Sequence, residues 1–184
     1  MHHLLAGELG QMAERFNLSQ DFNDYLTNVK GKTAALFRLA AEEGSHFGNG
    51  DEQTTQALAS FGENLGIAFQ IVDDILDYTG GKHLNKPTLE DLTTGVYSLP
   101  ILLALSKKEL REQLVPLLEK KRQMSKNDIE QIQKILLNSS VIEETHALAE
   151  QYTNRALANL AQLPQTNATV LLKKMTRKLV NRTL

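Results

Sequence analysis

Hydrophobic residues recur every three or four positions along nearly the whole chain, which is the period of an α-helix, and no convincing β-strand alternation appears. Capping and turn residues separate these periodic segments. The pattern predicts helices over residues 3–16, from 19 or 21 to about 47, from 54 or 55 to 79, 93–106 with a kink at 100, 107–121, 126–137, 139–162 and 167–182. We therefore predict an all-α fold, a helical bundle of about seven or eight helices.

The last predicted helix, 167–182, has one apolar face and one basic face. We expect the apolar residues to face the core: Val170, Leu171, Met175, Leu179 and Val180. The opposite face carries the basic residues Lys173, Lys174, Arg177, Lys178 and Arg182. A solvated helix face is the interpretation that we favour for this basic stripe, and the alternatives are contact with an anionic ligand and peripheral contact with an acidic membrane surface.

A central helix carries an acidic cluster, Asp73-Asp74-Ile75-Leu76-Asp77, between apolar neighbours. Helical spacing places Gln70, Asp73 and Asp77 on one stripe and Asp74 about 100° to the side. Carboxylates four residues apart repel each other by roughly 0.2–0.5 kcal/mol when exposed, and by more when partly buried. We therefore predict a bound cation. Ligands that are all oxygen favour Mg²⁺, which takes one or two protein carboxylates together with substrate phosphates.

The composition is that of an ordinary globular domain, with 41% hydrophobic and 23% charged residues among 184, and it predicts a single domain over residues 1–184. The absence of cysteine excludes disulfides, zinc–thiolate sites and a thiol nucleophile, and it favours an intracellular, cytoplasmic protein. No apolar run reaches the roughly 20 residues that span a bilayer. The first residues lack the basic and apolar regions of a signal peptide.

Charge is distributed unevenly along the chain. Residues 1–91 carry 14 acidic and 6 basic side chains, whereas residues 92–184 carry 8 acidic and 14 basic ones. An acidic half that holds cations beside a basic half that holds anions fits a metal-bridged anionic ligand, although chance produces such asymmetry about as readily. Nucleic-acid binding is not expected, because the sequence has no recognised motif and a pI of about 6.2.

Four sequence elements occur in the order found in trans-isoprenyl (polyprenyl) diphosphate synthases, and the chain resembles that family. Residues 66–77, GIAFQIVDDILD, resemble its second aspartate-rich motif, DDxxD, with the preceding Phe-Gln. Residues 86–100 resemble the loop that follows, residues 31–34 its KTA element and residues 7–11 its GExxQ element. The resemblance implies the all-α isoprenoid synthase fold. The region 7–33 looks most like the larger, catalytic subunits of bacterial medium- and long-chain synthases.

The resemblance also implies a reaction and a metal. Members of the family are prenyltransferases that condense isopentenyl diphosphate head to tail with an allylic diphosphate in isoprenoid biosynthesis, and they require Mg²⁺. Within the matching motif, Asp73 is the residue that we expect to contact the metal directly, and Asp77 is the next candidate. Asp74 belongs to the same motif, although its direction diverges from theirs.

Substrate contacts are implied in the same way. Lys32 and Lys86 match the two lysines that bind the allylic diphosphate, a role that suits a compact point charge. Thr33 and Gln70 match positions whose oxygens face the allylic carbocation, and Gln11 matches a substrate-binding position. Without the match, each lysine would be interpreted as a surface residue, and Gln70 as a hydrogen-bond partner of a neighbouring helix.

The family's first DDxxD motif and its isopentenyl diphosphate pocket lie upstream of the element that residues 7–11 resemble, and this sequence contains a single DDxxD. We therefore expect a domain that is incomplete at its N-terminus and inactive or weakly active alone. The alternative is a non-catalytic fragment or subunit that contributes one aspartate-rich face to a composite site with a partner chain. Apolar surface uncovered by missing helices predicts homo- or hetero-oligomerisation. A terpene cyclase shares the aspartate chemistry, but the lysine-bearing loop argues against it.

A competing metal site consists of two Glu-x-x-His pairs, Glu43 with His46 and Glu143 with His146. Di-iron bundles use two such pairs together with a glutamate from each of two other helices. Neighbouring glycines place the first pair at a helix end, which disfavours this interpretation.

Overall fold

The computed structural model describes residues 15–79 and 89–180, and these ranges contain helices and turns but no strand. The helices are α1 (Phe22–Val29), α2 (Ala35–Phe47), α3 (Glu52–Thr79), α4 (Glu90–Thr94), α5 (Leu99–Ser106), α6 (Lys108–Leu118), α7 (Lys126–Leu137), α8 (Val141–Ala161) and α9 (Asn167–Val180). The predicted all-α fold is confirmed. The predicted helix over 3–16 lies almost wholly outside the described residues.

Helix α3 is the axis of the bundle. It is 28 residues long, and it packs against α2 on one side and α8 on another. Its buried residues recur along its whole length and form the centre of the core with α5, α7 and α8. No helix of the described ranges combines the length and the hydrophobicity that crossing a lipid bilayer requires.

A π-helical turn, Lys30–Ala34, joins α1 to α2. The segment from 21 to 47 is therefore one continuous helical rod, as predicted, and Asp21 caps it by accepting hydrogen bonds from the amides of Asn23 and Asp24. The sequence pattern did not predict the π turn. Such turns insert extra backbone into a helix and occur frequently at functional sites.

Two glycines of α3 let this rod approach closely. A Cβ atom on Gly66 would lie 2.7 Å from Cα of Ala34, and one on Gly62 would lie 2.4 Å from the carbonyl oxygen of Phe37. Both contacts are with backbone atoms, which cannot rotate away. The close spacing of α3 to the π turn at Gly66, and to α2 at Gly62, therefore requires glycine at these positions.

The predicted helix over 93–106 with a kink at Pro100 is wrong. Helix α4 ends at Thr94, Gly95 adopts a left-handed conformation with φ of 82°, and α5 starts at Leu99. Pro100 lies in the first turn of α5, where a backbone N–H is not needed and the fixed φ of proline favours the helix. Proline begins a helix here instead of bending one.

The predicted inward face of α9 is also largely wrong. Val170, Leu171 and Met175 are exposed, while Leu179 and Val180 are partly buried. The side of α9 that packs against α8 and α3 holds the buried Thr169 and Thr176, together with Leu172 and the predicted Leu179. Thr176 can be buried because its hydroxyl donates to the carbonyl oxygen of Leu172 at 2.9 Å. Small, internally satisfied threonines permit close packing, which a periodicity of apolar residues does not reveal.

Substitution of Gly66 by alanine tests the close approach. The added methyl group must push α3 away from the π turn, so we expect Gly66→Ala to lower the free energy of unfolding by about 1–3 kcal/mol, the usual cost of overpacking. The matched control is Gly44→Ala in α2, where an added Cβ meets no atom within 4 Å. That variant should be neutral or more stable by about 0.4–1 kcal/mol. Urea denaturation measures both, and equal effects would contradict the proposed contact.

Candidate functional site

The π turn and α3 bring two of the predicted site residues into direct contact. The hydroxyl of Thr33 donates a hydrogen bond to Oε1 of Gln70 at 2.8 Å. Both side chains are partly buried, and the adjacent Lys32 is exposed on the same π turn. Thr33 and Gln70 are 37 positions apart in sequence. The contact therefore exists only because the π turn packs against α3.

Gln70 continues the hydrogen-bonded chain into the protein. Its amide nitrogen donates to Oδ1 of Asp74 at 3.0 Å, one helical turn further along α3. The other carboxylate oxygen of Asp74 accepts from the backbone N–H of Leu99 at 3.0 Å. Leu99 is the first residue of α5, so Asp74 caps the N-terminus of a neighbouring helix.

Asp74 is buried, with 6% of its surface exposed. Burial raises its pKa to about 6, because a carboxylate loses hydration there, and the hydrogen bonds from Gln70 and Leu99 oppose this shift. The phenol of Tyr25 lies beside the same carboxylate but outside hydrogen-bond geometry, and it finds no other partner within the described ranges. Its own pKa is raised well above the ordinary value, by burial first and then by the negative charge of Asp74.

The other two aspartates have a different environment. Asp73 and Asp77 are only partly buried, and they lie one turn apart on the stripe of α3 that also carries Gln70. The chemistry of this donor set fits Mg²⁺, which accepts one or two protein carboxylates and completes its octahedron with water and phosphate oxygens. Within residues 15–79 and 89–180, no three acidic or histidine side chains cluster closely enough to hold a metal by themselves. The di-iron interpretation therefore finds no support in these ranges.

The C-terminal end of α3 is held in place by a second set of contacts. Oη of Tyr78 lies 2.7 Å from Oγ of Ser98, the N-cap of α5. The amide nitrogen of Gln133, on α7, donates to the carbonyl oxygen of Tyr78 at 2.6 Å. Sequence reasoning missed Tyr25 as a neighbour of Asp74 and Tyr78 as a support of this end of α3, because nothing in the local pattern marks them apart from other apolar positions.

The remaining predicted site residues, Gln11 and Lys86, lie outside the described residues. Their roles stay predictions. The metal-binding roles of Asp73, Asp74 and Asp77, the diphosphate role of Lys32 and the catalytic roles of Thr33 and Gln70 stay predictions as well.

Comparison with known proteins gives concordant matches. A family model described as "Polyprenyl synthetase" matches residues 1–136. The chain is 35% identical over 182 residues to the decaprenyl-diphosphate synthase of Dictyostelium discoideum, covering 98% of this chain and 38% of that protein. It is 33% identical to heptaprenyl diphosphate synthase component 2 of Bacillus subtilis, covering 88% of this chain and 46% of that protein.

The fold is similar to that of solved structures. The crystal structure of geranylgeranyl pyrophosphate synthase from Lactobacillus brevis superposes with a TM-score of 0.90 at 38% sequence identity, covering 98% of this chain and 56% of that one. This chain therefore spans about half the length of the proteins that it matches.

Removing the Thr33 hydroxyl tests the first contact of the site. Thr33→Val leaves Oε1 of Gln70 without its donor in a partly buried place, so we expect the free energy of unfolding to fall by about 1–2 kcal/mol. Thr33→Ser keeps the hydroxyl and should lose less than about 0.5 kcal/mol. Urea denaturation monitored by circular dichroism compares the two, and a larger loss in the serine variant would contradict the hydrogen bond.

Proposed function

Because this chain belongs to the polyprenyl synthetase family, we propose that it provides one face of the active site of a Mg²⁺-dependent prenyltransferase. The reaction would condense isopentenyl diphosphate with an allylic diphosphate. The residues that we assign to this face are Lys32, Thr33, Gln70, Asp73 and Asp77, with Lys86 and Gln11 from the segments outside the described ranges.

One observation carries the proposal: Gln70, which is hydrogen-bonded to Thr33, lies on the same stripe of α3 as Asp73 and Asp77. Oxygen atoms of two chemical kinds therefore share one surface. Carboxylates suit a divalent cation, whereas neutral amide and hydroxyl oxygens suit a delocalised organic cation. When the carbon–oxygen bond of an allylic diphosphate ionises, the departing diphosphate needs a divalent cation and the allylic carbocation needs neutral oxygen dipoles.

The roles of the individual side chains follow from this arrangement. Mg²⁺, when bound, would neutralise the charge that develops on the departing diphosphate. Lys32 would add a compact positive charge to the same group. Thr33 and Gln70 would direct oxygen dipoles at the allylic carbon, where positive charge develops. Asp73 and Asp77 would hold the metal without a nitrogen or sulfur ligand.

The face described here is only part of such a site. The sequence contains one DDxxD motif, and the relative from Bacillus subtilis carries the name "component 2". We propose that further helices, in the same protein or in a partner chain, complete the cavity. The exposed apolar side chains of α2, among them Phe47 at 88% exposure, provide surface that such helices would cover.

We expect the 184-residue chain alone to turn over at less than about one hundredth of the rate of a full-length synthase. The physical reason is that two carboxylates on one helix hold metal on only one side of the diphosphate. Incorporation of labelled isopentenyl diphosphate in the presence of Mg²⁺ measures this, with the Lactobacillus brevis geranylgeranyl pyrophosphate synthase as the full-length reference. A faster rate would refute the incompleteness of the site and leave the prenyltransferase assignment standing.

Binding measurements test the face itself, independently of turnover. We expect the chain to bind Mn²⁺, as a probe for Mg²⁺, more tightly when an allylic diphosphate such as farnesyl diphosphate is present. Asp73→Asn should weaken this binding about tenfold or more, since it removes one anionic ligand. The control is Glu109→Gln, which removes an exposed carboxylate from α6. If diphosphate fails to strengthen Mn²⁺ binding, or both variants bind alike, the proposed function is wrong.

A further inference from the structure

Three hydrogen bonds connect the proposed site to the N-terminus of α5. Leu99 N–H donates to Asp74, the amide nitrogen of Gln70 donates to Asp74, and the Thr33 hydroxyl donates to Oε1 of Gln70, at 3.0, 3.0 and 2.8 Å. The first bond joins α5 to α3, the second lies within α3, and the third joins α3 to the π turn. The chain runs from buried Asp74 outward to partly buried Thr33.

The direction of this chain is fixed by its inner end. An ionised carboxylate accepts hydrogen bonds and cannot donate them. Gln70 must therefore turn its NH₂ group toward Asp74 and its carbonyl oxygen toward Thr33. The opposite orientation would place two acceptor oxygens 3.0 Å apart, at the position now held by the amide nitrogen. Since Oε1 of Gln70 also only accepts, the Thr33 hydroxyl must spend its single proton on that bond.

The consequence appears at the outer end. The protons that make these three hydrogen bonds all point toward Asp74, so the Thr33 hydroxyl is left with lone pairs and no proton to offer. The lone pairs that Gln70 and Thr33 do not use within the chain are then available only as acceptors. Chains of hydrogen bonds polarise one another, which makes these outer oxygens more negative than isolated ones.

Asp74 itself is poorly placed to bind metal. Both of its oxygens accept hydrogen bonds from protein groups, and 6% of the residue is exposed, whereas Asp73 and Asp77 are more exposed on the neighbouring face. Its negative charge lies at the N-terminus of α5, where the helix dipole stabilises an anion. The second residue of α5 is Pro100, which has no N–H, so the amide of Leu99 is a principal donor of that first turn.

We propose that Asp74 is a positioning residue and not a metal ligand: it sets the orientation of Gln70 and, through Gln70, of Thr33, so that oxygen lone pairs face the cationic end of the substrate. This inference rests on the proposed function for its purpose. The orientation of the Gln70 and Thr33 side chains is a property of the protein without substrate, and it can be measured in that state.

Asp74→Asn is the decisive variant, because asparagine has the same shape. The Leu99 N–H retains the amide oxygen of the introduced asparagine, whose NH₂ group then faces Gln70. Gln70 must rotate its own NH₂ group toward Thr33, and the whole chain reverses. Nuclear Overhauser effects from the Gln70 side-chain NH₂ protons to the Thr33 methyl group report this directly. We expect them to be weak or absent in the wild-type chain and strong in the variant.

The wild-type spectrum alone keeps the proposal falsifiable if the variant does not fold. Strong contacts between the Gln70 NH₂ protons and the Thr33 methyl group in the wild type would overturn it. An unchanged orientation in a folded Asp74→Asn protein would overturn it as well. Asp77→Asn, which alters the charge of the same helix, is the matched control and should leave the Gln70 contacts unchanged.

Mn²⁺ binding in the presence of farnesyl diphosphate separates the two roles of the aspartates. We expect Asp74→Asn to change the affinity less than threefold and Asp73→Asn to lower it about tenfold or more. Equal losses would identify Asp74 as a ligand and refute its positioning role. If no protein binds Mn²⁺ and diphosphate together, the proposed function fails, while the spectra still decide the orientation of Gln70.

Discussion

The structure of the site depends on the close contact between the glycine face of α3 and the π turn that precedes α2. Gly66 lies so near the backbone of Ala34 that a methyl group would overlap it. Only at this separation does the Thr33 hydroxyl reach Gln70 at 2.8 Å. The other side of α3 packs against α8, so the helix has little room to retreat. The relative positions of Thr33 and Gln70 are thus set by the backbone packing of Gly66 against Ala34 nearby.

Much of this architecture could be predicted from local pattern. The apolar period predicted the helices, and the helix over 126–137 begins and ends where its Ser125 cap and its apolar residues indicate. The π turn could not be predicted, because a single inserted residue does not disturb the composition of an amphipathic segment. The role of Pro100 was missed for a related reason. A proline that bends a helix and one that starts a helix look alike until the left-handed turn at Gly95 is known.

The three aspartates show where helical geometry is sufficient and where it is not. A rotation of 100° per residue correctly separates Asp74 from the stripe of Asp73 and Asp77. That rotation does not reveal what Asp74 faces, because its partner, the N-terminus of α5, belongs to another element of the fold. The sequence motif grouped three carboxylates as ligands, whereas the structure gives one of them two protein hydrogen bonds and a buried position. Tertiary contacts therefore divide a motif that is continuous in sequence.

This division bears on how a divalent ion would be held. The charge of Asp74 is stabilised within the protein by N–H dipoles, so on the proposed function the metal would be held by Asp73 and Asp77. Two carboxylates are few for Mg²⁺, which surrenders its water reluctantly and normally shares phosphate oxygens when so few protein ligands are present. On the proposed function, metal and diphosphate would each raise the affinity of the other by the same factor, as linkage requires. A face of this kind would bind the metal together with the diphosphate of the substrate. The orientation of Gln70 and Thr33 would already be set before metal or diphosphate binds.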